Sequence, residues 1–393
     1  MVSASESSMA DVVKYCYQCG KCVGVCPVSA LKNFNPRLMI HEILLNGSEC
    51  LVRSDDIWSC ITCDQCSAIC PMDIEFSRFV RDARIESFKR GVCGEEAHTG
   101  ILSSITKIMA NSNLTPNILG DWFPSKLKIR DEGEMQDEGE YAYFVGCLPI
   151  FDQVFGNFGV KYSDTAVAAV AILNFFDITP AVVKSGKCCG HDRLWSGDVE
   201  TFRKLAEYNL RAIDRTEAST LITTCAECYR TLKLDYPEYF GKLPFEVVHM
   251  SEFLADQINK GNLDYPLLEE KNVTYHDPCR LGRQTKVFDA PRTVIKSVPE
   301  FDFVEMERSR EESLCCGTSS FLSCDDYAKA IRADRMNEAD RTGADILVTT
   351  CPKCQIHFNC LKTEVQFSDS TTKRYNFEVS DLTKLIAKSL KLI

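Results

Sequence analysis

Cysteine recurs in this sequence in an order that leaves few folds open. A single Cys147 is followed by the adjacent pair Cys188 and Cys189 with Gly190, then by Cys225 and Cys228 in a C-x-x-C. The same order returns as Cys279, then Cys315, Cys316 and Gly317, then Cys351 and Cys354. The C-x-x-C segments also read alike, Leu-Ile-Thr-Thr-Cys-Ala-Glu-Cys at 221–228 and Leu-Val-Thr-Thr-Cys-Pro-Lys-Cys at 347–354. The second part of the chain is an internal duplication, and that repeat governs how the rest is parsed. Neighbouring side chains on extended backbone point to opposite sides, so two adjacent cysteines reach one site only across a sharp bend. The glycine that follows tolerates such a bend. Several thiolates held together need a metal or cluster to compensate their charge. A vicinal disulfide, buried structural thiols and zinc are the competing readings; two complete sets at matching spacing favour a cluster.

A second repeat stands before the first. Cys16-x-x-Cys19-x-x-Cys22-x-x-x-Cys26-Pro27 returns as Cys60-x-x-Cys63-x-x-Cys66-x-x-x-Cys70-Pro71. This is the bacterial ferredoxin ligand run, in which the fourth cysteine of each run ligates the other cluster. It assigns Cys16, Cys19, Cys22 and Cys70 to one cubane [4Fe–4S] cluster and Cys60, Cys63, Cys66 and Cys26 to a second. Three closely spaced thiolates wrap one corner of a cube, and the proline ends the loop.

Composition narrows the setting. The chain has 393 residues and 22 cysteines, enough length for two to three domains with real cores. Its first residues have no apolar core of the kind a secretory signal needs. Reduced thiols holding metal in a cytoplasm fit better than a secreted disulfide scaffold. A net charge of −11 argues against nucleic acid as a partner. No apolar run is long enough to span a membrane. The nearest, Ala166 to Phe176, reads as a buried helix, so membrane association is expected only through a partner. No G-x-G-x-x-G is present, so a flavin or nicotinamide belongs on another polypeptide.

Taken in order, residues 1–10 read as a disordered tail and 11–92 as a two-cluster ferredoxin domain. Within it, 36–45 is an amphipathic helix with Leu38, Met39, Ile43 and Leu45 on its apolar face. A second helix over 74–90 presents Phe76, Phe79, Val80, Ala83 and Ile85, and both helices are expected to cover the clusters. Residues 93–140 read as a linker ending in the acidic, solvated run 131–140. Residues 141–262 and 263–393 form the two cysteine-rich domains. In the first, strand 141–145 leads to Cys147, helices cover 163–177 and 199–215, and strand 221–224 ends on Cys225. In the second, strand 273–275 runs to Cys279, helices cover 292–298 and 326–342, and strand 346–349 ends on Cys351. An amphipathic helix closes the chain at 382–393. The expected class is α+β and α/β: a helix-rich ferredoxin domain, then a duplicated α/β unit with thiols at the carboxyl edge of each sheet.

These residues carry a resemblance. The two CCG sets resemble the cysteine-rich domain that is paired in the B-type component of heterodisulfide reductase and recurs in iron–sulfur components of glycolate, lactate and glycerol-3-phosphate oxidising systems. Residues 11–90, with Asn35-Pro36-Arg37 and Ile57-Trp58-Ser59-Cys60, are similar to its C-type ferredoxin component. The whole chain resembles a fusion of the C and B types, the layout of the D type. The resemblance implies two non-cubane [4Fe–4S] clusters. One takes Cys147, Cys188, Cys189, Cys225 and Cys228; the other takes Cys279, Cys315, Cys316, Cys351 and Cys354.

It also implies an enzyme, the catalytic component that reduces the disulfide between coenzyme M and coenzyme B, with electrons relayed by the cubanes. The implied partners are the flavin-containing A-type component of heterodisulfide reductase or a membrane cytochrome b, within a cytoplasmic complex peripheral to the membrane. The alternative is an electron-transfer component of a flavin-dependent hydroxyacid or glycerol-3-phosphate dehydrogenase serving quinone. That neither set is degraded favours the first.

Disulfide reduction needs two electrons and protons. His191 and His276 stand close to the ligands in sequence and are candidate proton donors, with hydrogen bonding to a cluster sulfur or the backbone as the competing role. Lys187, Arg193, Arg280, Arg283 and Lys353 also lie near ligand cysteines and are candidates for binding a sulfonate or phosphate. Cys50, Cys93, Cys324 and Cys360 fit no set and read as buried structural thiols.

Overall fold

The computed structural model describes residues 11, 13–47, 49–52, 54–114, 123–130, 140–261, 263–322, 324–366 and 375–393. The tail at 1–10 and nearly all of the acidic run lie outside them. The N-terminal part is helical. Helix α1, Pro36–Asn46, starts where the Asn35 side chain accepts the Leu38 amide and Pro36 occupies the first turn. Its buried residues include Met39, Ile40 and Ile43, while Leu38 and Leu45 are 47% and 68% exposed. The expected face is therefore rotated by about one residue. Helix α2, Phe76–Lys89, buries Phe76, Phe79, Val80 and Ala83 as expected, with Ile85 only half-buried.

Helix α2 also buries two arginines. Arg84 donates to the carbonyls of Ile57, Cys60 and Trp195, and Arg81 pairs with Asp235 and Glu238. The helix thus joins the ferredoxin part to the first cysteine-rich unit through charged hydrogen bonds, not through apolar cover alone. The stretch read as a linker is partly ordered too: helix α3, Ile101–Asn111, sets Met109 against Cys188 and Leu205.

Each cysteine-rich unit is a four-stranded parallel sheet. The strands are β1 (Tyr141–Phe144), β2 (Ala181–Val182), β3 (Thr220–Thr223) and β4 (Glu246–His249), then β5 (Lys271–Tyr275), β6 (Phe301–Phe303), β7 (Ile346–Thr349) and β8 (Glu378–Asp381). Their orders, β2-β1-β3-β4 and β6-β5-β7-β8, are the same topology twice. Registers repeat as well: Tyr143 sits opposite Ile222 and Tyr275 opposite Val348. The hydroxyl of Tyr143 bonds Thr224 at 3.0 Å, and that of Tyr275 bonds Thr350 at 2.9 Å. The two central strands of each sheet are those expected from the sequence. The outer four are additional, and they are short or carry charged residues.

The two sheets are joined by helices that exchange roles. Helix 164–175 of the first unit packs on 382–389 of the second, and 250–259 of the first packs on 289–296 of the second. Their apolar faces share one core with Val170, Leu254, Val294 and Ile386. In each sheet the order in which strands are added reverses at the parallel β1/β3 or β5/β7 pair. Cys147 and Cys225 leave the carboxyl ends of β1 and β3, and Cys279 and Cys351 those of β5 and β7. Open parallel sheets hold their ligands at this kind of switch point.

The bend after each double cysteine is made by Gly190 and Gly317, with φ of 86° and 89°. A side chain at Gly317 would sit 2.3 Å from the Ala328 carbonyl oxygen, whereas at Gly190 the nearest atom is a Phe202 ring carbon at 2.8 Å. Left-handed backbone alone costs a non-glycine residue roughly 1–2 kcal/mol. Thermal unfolding of the two alanine variants is expected to show both destabilised, Gly317→Ala more than Gly190→Ala, because a carbonyl cannot yield as a ring can. The reverse order would contradict this packing.

Candidate metal centre

The ferredoxin cysteines fall into two groups. Cys26, Cys60, Cys63 and Cys66 line one small cavity with Phe34, Ile61 and Phe76. Burial pushes Cys60 and Cys63 up to about 12 and Cys66 well above the ordinary thiol range. Cys16, Cys19 and Cys70 gather beside Tyr17, with Cys22 close enough to feel Cys16 and Cys19. These are the two crossed groups that the ferredoxin spacing anticipates. The loops share a backbone signature: left-handed residues at Gln18 and Gly20 in the first, Thr62 and Asp64 in the second. Strained backbone repeated at matching positions is a feature of sites whose shape is imposed by what they hold.

The ten cysteines of the CCG sets form one continuous line. Thiol hydrogen bonds run from Cys147 to Cys188, Cys189, Cys228 and Cys225. Cys225 meets Cys351 of the second unit. The line continues through Cys354, Cys316 and Cys315 to Cys279. Only its ends, Cys147 and Cys279, are not fully buried. The Ala226 amide donates to the Thr350 carbonyl at 3.2 Å, fixing the two halves at their junction. Hydrogen bonds from Cys228 and Cys351 bring Cys225 down to about 5, and those from Cys315 and Cys354 do the same for Cys316. Most other members are pushed up. A buried line of thiols shares few negative charges among its members until a cation arrives. That donor set, soft and desolvated, fits iron–sulfur clusters.

A charged network crosses between the halves. Lys353 Nζ lies 2.5 Å from Asp192 and 2.7 Å from Glu227. Asp192, Glu227 and His191 would attract a metal ion, but Lys353 already supplies the cation. Burial opposes ionisation of Asp192, yet Lys353 and then His191 hold its carboxyl well below the usual range. Burial wins at Glu227, which is pushed up to about 7 against the pull of His191 and Lys353.

The two candidate histidines are buried and neutral. His191 Nε2 accepts from Arg280 at 2.8 Å, and its Nδ1 faces Asp192 at 2.9 Å. Burial first holds it below its ordinary range. His276 Nδ1 accepts from Arg335 at 3.0 Å, which leaves the proton on Nε2. Burial, then Arg335, lowers it strongly. Its Nε2–H has no partner among the described residues, and the ring groups with Cys316 and Cys354.

The five candidate cations are all buried, between 2% and 3% exposed. Lys187 caps helix α3 through the carbonyls of Met109 and Ser112. Arg193 bonds Glu96 and Ser103. Arg280 bonds Thr62 and His191 and stacks 4.2 Å from Trp195. Arg283 donates only to carbonyls, those of Cys63, Glu311 and Ser313. The spare thiols are not the buried group expected: Cys93 is exposed, and Cys50, Cys324 and Cys360 are half-buried. Trp195 escapes a reading of the sequence because a lone tryptophan carries no spacing signal. It is the platform on which His191, Arg230 and Arg280 stack.

Comparison with known proteins bears on these groups directly. Residues 12–74 match the 4Fe-4S dicluster domain, and residues 141–233 and 273–359 match the Cysteine-rich domain. The chain is 30% identical over 411 residues to the D subunit of the dihydromethanophenazine:CoB–CoM heterodisulfide reductase of Methanosarcina acetivorans, covering 96% of this chain and 94% of the relative. The chain belongs to the family of heterodisulfide reductase D subunits. The corresponding D subunit of Methanosarcina barkeri is 29% identical over the same shares of both chains. The B subunit of the fumarate reductase (CoM/CoB) of Methanothermobacter marburgensis is 28% identical over 87% of this chain and 66% of its own. An N-terminal ferredoxin domain followed by two cysteine-rich domains is thus the family layout, and the chain is one iron–sulfur component of an oxidoreductase. Among the described residues, no helix is long and apolar enough to cross a membrane.

In this family member, Lys353 is the charge that makes burial of Asp192 and Glu227 tolerable. Removing one partner of a buried ion pair costs about 3–5 kcal/mol. Lys353→Met is expected to lose stability on that scale in anaerobic thermal unfolding, and Lys353→Arg to retain most of it. An unchanged midpoint for Lys353→Met would contradict the assignment.

Proposed function

We propose that this chain is the catalytic iron–sulfur component of a heterodisulfide reductase, reducing the coenzyme M–coenzyme B disulfide to two thiols. The observation that supports it most is the single line of ten thiols crossing from one sheet to the other. A simple relay needs separate clusters in sequence; a two-electron bond cleavage needs two sites facing one bond. When bound, the clusters supply one electron at a time, and two of them balance the two electrons that an S–S bond consumes. In this reading Cys147, Cys188, Cys189, Cys225 and Cys228 hold one non-cubane cluster. Cys279, Cys315, Cys316, Cys351 and Cys354 hold the other. Five thiols in each set exceed the four that structural zinc takes.

The remaining roles follow from position. Cys16, Cys19, Cys22 and Cys70 hold one cubane, and Cys26, Cys60, Cys63 and Cys66 the second. The Cys60–Cys66 loop lies against the second unit, since Arg283 bonds both Cys63 and Ser313, and Arg280 bonds Thr62 beside Cys279. His276 offers its Nε2–H to sulfur near Cys316 and Cys354. Such hydrogen bonds tune cluster potential. His191 positions Arg280, and as a neutral ring with both nitrogens occupied it suits that role better than proton donation. Electrons would come from a flavin-containing A-type component or a membrane cytochrome b within a multi-protein complex.

Anaerobic chain with clusters intact is expected to carry about 16 iron atoms, the content of four [4Fe–4S] clusters, without stoichiometric zinc. Supplied with reduced viologen, it is expected to turn over the heterodisulfide. Cys189→Ser and Cys316→Ser each abolish turnover, and Cys50→Ser does not. Full iron content with no turnover, and activity only alongside a hydroxyacid flavoprotein and quinone, would make the chain an electron carrier.

A further inference from the structure

A cleft of about 640 Å³ opens where the second ferredoxin loop and helix α2 meet both cysteine-rich units. Four of its lining residues have polar atoms with no hydrogen-bond partner among the described residues: Arg283 Nη2, Trp195 Nε1, Gln284 Oε1 and Arg230 Nε. Arg283 is 2% exposed and Trp195 1% exposed. Leaving a buried polar group unbonded is costly, and more so when it is charged, so such groups in one cleft mark a place built for a ligand. Charge gives the ligand's sign. Arg78, Arg81 and Arg230 on the same walls are each answered by carboxylates, Glu75, Glu238 and Asp235. Among the described residues Arg283 hydrogen-bonds carbonyls only, with the Cys63 and Cys279 thiols near it and no carboxylate paired to it.

Lys286, on the rim, is exposed and held at a φ of 61°, a left-handed conformation uncommon for a residue with a long side chain. Against these two cations stand Asp64, which accepts from Ser77, and Asp73. The cleft also touches the thiol line. The Gln284 amide donates to the Cys279 carbonyl, and Arg280, stacked on Trp195, reaches Cys279 Sγ at 3.9 Å. Cys279 is one of the two line members that are not fully buried.

We propose that this cleft binds an oxyanion group, sulfonate, phosphate or carboxylate, of the disulfide that the chain reduces. Arg283 and Lys286 supply charge, and the Trp195 indole N–H donates a hydrogen bond. The oxyanion anchors one arm of the substrate while its sulfur–sulfur bond lies toward the thiol line. The inference rests on the disulfide-reductase reading for the identity of the ligand, and on the cleft alone for the anion.

The test compares the anionic heterodisulfide with an uncharged disulfide such as bis(2-hydroxyethyl) disulfide, using cluster-loaded protein and reduced viologen. Lys286→Gln and Trp195→Phe are each expected to lower the ratio of kcat/KM for the anionic over the uncharged substrate. The loss is about tenfold, the scale of one hydrogen bond to a charged group, and it falls on KM. Arg283→Gln is expected to lower the ratio further. A ratio that stays constant in all three variants overturns the proposal, whether or not overall activity falls.

Binding of inorganic sulfate to the oxidised protein, followed calorimetrically, is the second measurement. It is expected in the wild type and weakened in Lys286→Gln, even if the chain turns over no disulfide; absence of binding overturns the anion site. A chain that binds sulfate here but reduces no disulfide would sink the functional reading and leave the site standing.

Discussion

Burying ten thiols in one line is the constraint on which the rest of this structure depends. A thiolate in a low-dielectric interior is strongly disfavoured without compensating charge, and hydrogen bonds to neighbouring thiolates of the line, then burial, hold most of its members in the protonated form. The fold answers by keeping cations close at the Cys279 end, where Arg280 and Arg283 stand. It leaves the larger compensation to iron. Cluster loading and folding are therefore coupled, since the ligands must lose protons as metal binds.

Duplication is the economical route to such a line. One parallel sheet ends two strands beside each other at its switch point, and each strand delivers a cysteine there. A second copy, set against the first by exchanged helices, extends the line through the Cys225–Cys351 contact. The ferredoxin part is held to this assembly by buried arginines, Arg81 and Arg84 from one side and Arg280 and Arg283 from the other. Arginine suits the task because its rigid fork satisfies several carbonyls at once and its charge moderates nearby thiolates.

Much of this was legible in the sequence because cysteine spacing is a covalent-scale constraint. The four runs located the thiols, and the strands ending on Cys147, Cys225, Cys279 and Cys351 placed them at sheet edges. The outer strands were not legible: β2 has two residues and β6 three, too short for any periodicity to register. The face of helix α1 was misjudged because Leu38 and Ile40 are equally apolar, and only packing decides which turns inward. The network of Lys353, Asp192, Glu227, His191 and Arg280 joins positions up to 161 residues apart, and no local pattern relates them. Burial of the candidate cations was equally invisible, since a lysine beside a ligand looks the same whether it faces solvent or a carboxylate.

On the proposed function, the continuous thiol line makes the two cysteine sets one reaction centre and not two independent sites. Mössbauer spectroscopy of ⁵⁷Fe-loaded protein tests this most directly when Cys225, the thiol that meets the second set, is replaced by serine. If the sets are one centre, Cys225→Ser changes the iron signals of both sets, the second through the loss of its contact with Cys351. A spectrum in which the second set's iron is untouched would show that the two are electronically separate and contradict a shared centre.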